Sequence, residues 1–238
     1  MRIENNYSVK AHNTFGINQI TKRFIEYSSA DELKELIKSG KLEQPFFHIG
    51  AGSNLLFVDD YEGTLLHSAI CYIHPVKETK DEVWVSVGAG TCWDDFVAHC
   101  VEKEWYGVEN LSLIPGEVGS AAVQNIGAYG VEVKDLLVSL KAINLLTGEE
   151  REFSNAECQY DYRYSCFKQP EMKVWAVVEV TFKLSKQPTF NLTYKGLLSE
   201  LGEQPYSLKN IRKAVIDLRE SKLPDYRILG NAGSFFTN

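Results

Sequence analysis

Two glycine-containing stretches have the residues best suited to binding a phosphorylated ligand. The first follows an apolar run typical of a strand and consists of Gly50, Ala51, Gly52, Ser53 and Asn54. Glycine permits close approach of the backbone, and consecutive N–H groups can bind phosphate oxygens. A tight turn between two strands would explain the same residues. A Rossmann motif is disfavoured because Leu55 occupies the place of the third glycine.

The second stretch, residues 109–130, is rich in glycine and small residues and has no clean helical or strand period. Its accessible backbone comes from Pro115, Gly116, Gly119, Ser120, Gly127 and Gly130, while Gln124, Asn125 and Tyr129 offer side-chain hydrogen bonds. A solvent-exposed Ω-loop is the alternative interpretation. Two separated phosphate-compatible loops favour a dinucleotide cofactor over a mononucleotide.

Three further side chains could take part in a reaction. Arg163, in a segment between two predicted strands, could pair with a carboxylate and stabilise a developing oxyanion. A surface ion pair would explain it too, and a solvated charged turn would explain Lys222. Ser234, in the sequence GNAGSFFTN, is by type more often a turn or cap hydroxyl than a proton donor. No His–Asp pair is evident that would activate it as a nucleophile.

Composition narrows the class of protein. The chain has 238 residues, 44% of them hydrophobic, and a net charge of −7, which disfavours an extended nucleic-acid surface. No apolar run is long enough to cross a membrane, and residues 1–16 lack the apolar core of a signal peptide. We therefore expect a cytoplasmic protein. The five cysteines form no C-x-x-C pair and the histidines lack zinc-ligand spacing, so no metal site is predicted.

Local patterns predict an α+β protein. A helix is expected from Ser29, paired with Glu32 in a capping box, to Gly40, followed by strands at FFHIG and LLFV. A strand at residues 83–88 precedes a helix after Thr91, whose predicted buried face is Trp93, Phe96, Val97, Cys100 and Val101. A hairpin around residues 147–148 and a strand near 174–185 follow. After a boundary near 185–190, Ser207 starts a helix that Pro224 ends.

Nine segments, in order along nearly the whole chain, resemble the UDP-N-acetylenolpyruvoylglucosamine reductase family. They are NTFGI (13–17), GAGSNLL (50–56), GTLL (63–66), VGAG (87–90), LSLIPGEVGSAAVQNIGAYG (111–130), YDYRYSCFK (160–168), LTYKGL (192–197), KLPD (222–225) and GNAGSFF (230–236). The resemblance implies a two-lobed FAD-binding domain of the PCMH/vanillyl-alcohol-oxidase type over residues 1–185, with its lobes split near 67–80. Residues 186–238 would begin an incomplete α+β substrate-binding domain.

The resemblance also implies a reaction and its residues. NADPH would reduce FAD, and the flavin would deliver hydride to UDP-N-acetylglucosamine enolpyruvate, giving UDP-N-acetylmuramate for peptidoglycan synthesis. Arg163 matches the catalytic arginine and Ser234 the proton donor. The cofactor-binding positions are Gly50, Ala51, Gly52, Ser53, Asn54, Ile114, Pro115, Gly116, Ser120 and Gly127. The substrate-binding positions are Tyr129, Tyr162, Tyr194, Lys222 and Asn238, with Tyr194 marking the subclass that has a substrate-closing loop.

Other interpretations remain open. The chain could be a different FAD-dependent oxidoreductase of the same cofactor-domain type, or a non-catalytic flavin or nucleotide-sugar binding module. The family's catalytic glutamate has no counterpart in this sequence, so we expect a C-terminally truncated enzyme. Such a chain should bind FAD with little or no reductase activity, and its residues 186–238 should be poorly supported.

Overall fold

The computed structural model describes residues 1–233 and contains two main β-sheets and five α-helices within that range, which confirms the predicted α+β class. The first sheet has the order β1-β2-β4-β3, with an antiparallel β1–β2 pair and parallel β2–β4 and β3–β4 pairs. Its strands are β1 (Arg2–Ser8), β2 (Ile20–Tyr27), β3 (Phe46–Ile49) and β4 (Tyr61–Ser68). Helix α1 (Ala30–Lys38) connects β2 to β3.

The second sheet is antiparallel throughout and has the order β10-β9-β11-β6-β5. Its strands are β5 (Ile73–Glu78), β6 (Glu82–Gly88), β9 (Leu137–Asn144), β10 (Glu150–Ser154) and β11 (Trp175–Ser185). Helices α2 (Trp93–Glu102) and α3 (Val118–Gln124) pack on this sheet, and a short hairpin of β7 (Gly127–Ala128) and β8 (Val131–Glu132) follows α3. The chain passes from the first sheet to the second between β4 and β5. The domain boundaries themselves stay a prediction.

Separate apolar clusters hold these layers together. The largest lies between the second sheet and α2, whose five predicted buried residues are all buried. Another joins the two sheets, because Ile25 of β2 and Leu66 of β4 share a cluster with Ile143 of β9 and Val178 of β11. Shared burial of apolar surface therefore sets how the sheets are placed relative to each other.

Three local predictions need correction. Ser29 is the N-cap of α1 and accepts from the Glu32 amide at 3.1 Å, but the Glu32 carboxylate bonds the amide of Ser28 instead of completing the box. The LLFV run is not a strand, because a turn from Gly52 to Leu55 bends it along the surface and leaves Val58 75% exposed. Residues 109–130 show no clean helical or strand period in the sequence, yet helix α3 lies within them.

The described part of the segment after residue 185 packs on the second sheet's helices. It contains α4 (Lys195–Leu201) and α5 (Leu208–Glu220), with Ser207 as the predicted N-cap of α5. Arg212 of α5 makes two bonds of 2.7 and 2.8 Å to the carboxylate of Asp94 on α2. Leu197 and Ile211 are fully buried in a small cluster. Helices α4 and α5 therefore have their own core and an ion-paired contact, contrary to the expected poor support, whereas Ile228 and Leu229 beyond α5 are exposed.

Candidate functional site

The GAGSN loop after β3 has the geometry expected of a phosphate-binding loop. Gly52 has φ +67°, and a Cβ there would lie 1.9 Å from the carbonyl oxygen of His12. Glycine fits this position best, because the backbone conformation disfavours a side chain and the contact excludes one. Within residues 1–233, the amides of Ala51, Gly52, Ser53 and Asn54 donate to no protein acceptor. They are therefore available to a ligand.

The second glycine stretch meets this loop, so that both predicted phosphate-binding segments form one surface. The Ser53 hydroxyl donates to the Pro115 carbonyl at 2.9 Å. A Cβ on Gly50 would lie 2.9 Å from the Cβ of Ser120, and one on Gly116 would lie 3.2 Å from Ser53 Oγ. This cradle of backbone N–H groups, in which Gly50, Gly52 and Gly116 allow close approach, fits the pyrophosphate of a dinucleotide cofactor.

Helix α3 begins at this cradle, but its first amides are already bonded. Val118 donates to the Thr91 carbonyl at 2.9 Å, and Gly119 donates to Ala89 at 2.8 Å. Ser120 Oγ donates to the Glu117 carbonyl at 2.9 Å and helps to cap the helix. The fit to a pyrophosphate therefore depends on residues 51–54 and Gly116. Ile114 packs partly buried against the main core beside them.

The NTFG segment joins the cradle to the GNAG turn. Thr14 Oγ1 donates to the Ser53 carbonyl at 3.5 Å, and the Thr14 carbonyl accepts from the Asn231 amide at 3.0 Å. A Cβ on Gly230 would lie 2.1 Å from the Phe15 carbonyl oxygen, so the two backbones are in direct contact. Segments that are far apart in sequence are thereby brought together. The candidate proton donor Ser234 and the candidate substrate ligand Asn238 lie outside the described residues.

Arg163 is held in a strained turn at the edge of the second glycine stretch. Its φ is +54°, and backbone bonds between Asp161 and Tyr164 close the turn around it. Its Nη2 donates to the Gly127 carbonyl at 2.6 Å, and Lys168 Nζ donates to the Arg163 carbonyl at 2.6 Å. Burial lowers the pKa of Lys168, and the charge of Arg163 lowers it further. A cation held this way near predicted cofactor-binding backbone is typical of a functional site.

Two tyrosines predicted to bind substrate lie beside a group of cations. The Tyr129 and Tyr194 rings pack edge to face at 5.1 Å, and Lys222 Nζ lies 5.9 Å from the centre of the Tyr194 ring. Burial raises the pKa of Tyr129, while the charges of Arg219 and Lys222 act in the opposite direction. Tyr162, also predicted to bind substrate, is 62% exposed and stacks near Arg163 at 5.7 Å.

Arg219 is a further candidate site residue, which the sequence patterns did not indicate. Its Nε donates to the Leu113 carbonyl at 3.2 Å. Burial lowers its pKa and outweighs the opposing effects of Tyr129 and Asp94. The available signal was its place on α5 three residues before Lys222, which sets both on one side of the helix end.

Asn125, in contrast, is a structural residue and not a free hydrogen-bonding group. It ends α3 with φ +45°, and its amide bonds Glu132, the Asp161 carbonyl and the Lys134 amide. Four of the seven non-glycine residues with positive φ in the described chain lie in these site segments: Leu113, Asn125, Tyr129 and Arg163. Strain is thus concentrated around the candidate site.

Two features are absent from residues 1–233. None of the helices there is both long and apolar enough to cross a membrane. The same part of the chain has no group of three or more His, Cys, Asp or Glu side chains arranged to hold a metal ion.

Comparison with known proteins identifies an FAD-binding domain and a family of relatives. The family model described as "FAD binding domain" matches residues 21–154. The UDP-N-acetylenolpyruvoylglucosamine reductase of Bacteroides fragilis is 54% identical over 237 residues, covering 99% of this chain and 71% of the relative. The proteins of the same name from Porphyromonas gingivalis and Flavobacterium johnsoniae are 46% and 44% identical, covering all of this chain and 71% and 72% of their own lengths.

A solved structure supports the fold. The crystal structure of UDP-N-acetylenolpyruvylglucosamine reductase from Thermus caldophilus matches with a TM-score of 0.73 and 23% sequence identity, covering 98% of this chain and 73% of that chain. At that identity the likeness shows the fold alone. Together with the high identity of the sequence relatives over nearly the whole chain, it leads to one assignment: this chain belongs to the UDP-N-acetylenolpyruvoylglucosamine reductase family.

Proposed function

We propose that this chain binds FAD in the cradle of residues 50–54 and 114–120, and that the reaction its residues serve is the reduction of UDP-N-acetylglucosamine enolpyruvate to UDP-N-acetylmuramate, with NADPH as the hydride donor. FAD-dependent reduction in peptidoglycan synthesis is the activity of the family to which the chain belongs. FAD, when bound, supplies the hydride-transfer chemistry. The residue roles and the choice of NADPH are the finer parts of the proposal.

The observation that carries the proposal is the group of cations beside the glycine stretches. Arg163, Lys168, Arg219 and Lys222 cluster there although the chain as a whole has a net charge of −7. Hydride addition to a double bond conjugated with a carboxylate places negative charge on the carboxylate side. A guanidinium in a partly desolvated site stabilises that charge as it develops. We assign this role to Arg163.

The aromatic and polar residues would bind and orient the substrate. Tyr129 and Tyr194 form one wall with Lys222 next to them, and an ammonium group there can bind phosphate or carboxylate oxygens. Tyr162 is exposed, so its ring is free to contact a sugar ring of the substrate. Asn238 is proposed as a further substrate ligand, and Ser234 as the hydroxyl that donates a proton to carbon.

Ligand titration tests the proposal against its alternatives. The purified chain is loaded with FAD and titrated with UDP-N-acetylglucosamine enolpyruvate while the flavin absorption spectrum is recorded. A saturable spectral change supports the assigned substrate. FAD binding without any response points to another oxidoreductase of this cofactor-domain type, and protein that cannot take up FAD contradicts the proposal. Reduction by NADPH and by NADH, measured separately, decides the hydride donor.

Arg163→Lys tests the catalytic arginine. Lysine keeps the charge but cannot reproduce a guanidinium that bonds Gly127 while facing a carboxylate. Loss of one such stabilising donor costs roughly 100-fold or more in kcat, and we expect little change in unfolding free energy. Turnover is compared at the full length of the relatives.

Arg151→Lys is the matched control, because Arg151 is an exposed arginine paired with Glu157 at 2.7 Å on the far strand β10. It should leave kcat unchanged. Near-normal kcat for Arg163→Lys would remove this residue from the catalytic assignment.

A further inference from the structure

His67 lies buried between two carboxylates that come from different parts of the chain. It is on β4 in the first sheet, where its backbone is in register with Glu26 of the neighbouring strand β2. Its Nδ1 lies 2.9 Å from Glu26 Oε2, and its Nε2 lies 2.8 Å from Glu117 Oε1. His67 itself is 8% exposed. An imidazole can satisfy two carboxylates at once only as a donor at both nitrogens, which is its protonated form.

Glu117 connects this histidine to the cofactor cradle. It is the N-cap residue of α3, next to Gly116, and α3 packs on the second sheet. Its other carboxylate oxygen, Oε2, would lie 3.2 Å from a Cβ on Gly50. The His67–Glu117 bond therefore links the first sheet to the second glycine stretch, residues 109–130, at the point where this stretch meets the GAGSN loop.

We propose that His67 is a positioning residue of the FAD site, which fixes the spacing of the two glycine segments by bonding Glu26 on one side and Glu117 on the other. Its effect on the cofactor acts through Glu117 and the backbone of the cradle. The inference rests on FAD binding by this domain, and it adds a residue to which the nine family motifs assign no role.

Charge gives this link a pH dependence. Burial by itself lowers the pKa of His67, but the hydrogen bonds and charges of Glu117 and Glu26 outweigh it and raise that pKa above its ordinary value. Without the proton, Glu117 would lose its charge partner near the loop that receives the pyrophosphate, and Glu26 would keep only Arg2, whose Nη1 lies 3.9 Å away. Because like charges repel across a partly buried site, FAD should bind the protonated form more tightly.

The other groups facing this cluster do not replace His67 as the switch. They include His12, whose ring lies 4.8 Å from that of His67, and Arg2, whose Nη1 lies 3.9 Å from Glu26. His48, Cys71 and Tyr27 lie nearby as well, and burial raises the pKa of Tyr27. Burial and the charge of His67 lower the pKa of His12 to about 4 and of His48 to about 3, so both are neutral near pH 7. Burial raises the pKa of Cys71.

The sign of the effect follows from linkage. A raised pKa in the folded protein means that the contribution of His67 is complete below its unfolded value of about 6.5 and is lost as pH rises through the folded pKa. FAD binding should raise the His67 pKa further. Each unit of that rise corresponds to roughly a tenfold higher Kd for FAD at alkaline pH than at acid pH.

The test measures Kd for FAD by flavin fluorescence from about pH 6 to about pH 9, together with the His67 pKa by NMR in the flavin-free and FAD-loaded chain. We expect the ratio of alkaline to acid Kd to match the difference between the two pKa values. Glu117→Gln should lower the His67 pKa and move the step in Kd to lower pH. His67→Gln should abolish the step.

His74→Gln is the matched control, since His74 is an exposed histidine on the edge strand β5, and its step in Kd should be that of the unmodified chain. If His67→Gln does not fold, Glu117→Gln decides the question, because the step must follow the His67 pKa. Tight FAD binding without a pH step, or a step that persists without His67, would overturn this inference alone. No FAD binding at any pH would overturn the cofactor assignment as well.

Discussion

Gly52→Ala tests whether close contact between the GAGSN loop and the NTFG segment is required for FAD binding. A Cβ at this position would lie 1.9 Å from the His12 carbonyl oxygen and 2.7 Å from its carbon. Since real Cβ contacts are essentially never under 3.0 Å, the two segments must separate by about 1 Å in a region that is otherwise tightly packed. The amides of the cradle would be displaced with the loop.

The magnitude has two parts. A non-glycine residue in the left-handed region costs about 1 to 2 kcal/mol, and forcing an atom into a packed contact costs about 1 to 3 kcal/mol more. We expect the Kd for FAD to rise at least tenfold, about 1.4 kcal/mol, because the displaced amides no longer converge on one ligand. Urea unfolding measures the loss of unfolding free energy, and flavin fluorescence titration measures the Kd for FAD.

Gly40→Ala separates the two parts. Gly40 follows α1 with φ +66°, close to the +67° of Gly52, and a Cβ there would meet nothing within 4 Å. It should show only the backbone cost and leave Kd for FAD unchanged. Equal unfolding free energies for the two variants, with normal FAD affinity in both, would refute the role given to the contact at Gly52.

Two further predictions concern the elements that support the site. Arg212→Met should lower the unfolding free energy by about 2 kcal/mol, because it removes both bonds to Asp94. Burial acts to raise the pKa of Asp94, but Arg212 and the Leu113 amide outweigh it and lower that pKa. The stability due to this pair is therefore present above an unfolded pKa of about 3.9 and is lost as pH falls through the folded pKa of Asp94. Arg212→Met should weaken this loss of stability at acid pH. Urea unfolding at several pH values measures the effect. Asn125→Ala should cost about 3 kcal/mol, because it removes the bonds of this buried side chain to Glu132, Asp161 and Lys134 and places alanine at φ +45°. Asn125→Gly should cost less, since glycine tolerates that φ, and equal losses would contradict the backbone argument.

Elements whose cause is local were predictable from the sequence. Helix α1 begins after Ser29, because this side chain accepts a hydrogen bond from the Glu32 amide. It ends before Gly40, because glycine readily adopts the left-handed φ of +66° found there. The buried face of α2 and the hairpin at Gly148 follow in the same way from side-chain period and turn chemistry. The order of the nine family motifs, read without any structure, was also enough to predict the family and its cofactor.

Tertiary contacts decided what these patterns could not. Helix α3 has seven residues, among them Gly119 and Ser120, and lacks an apolar period; it forms because its first amides bond carbonyls at Ala89 and Thr91. The LLFV run has strand-forming residues but no neighbouring strand to bond, so it stays irregular.

The site itself depends most on the fold. Glu26, His67 and Glu117 lie far apart in the sequence and come together only because β2 and β4 are paired and α3 packs against the end of β3. Arg219 becomes a candidate site residue only because α5 buries it near Tyr129. A sequence specifies local conformation through neighbouring residues, whereas the desolvation and the charges that define a reactive site are set by residues that only the folded chain brings into contact.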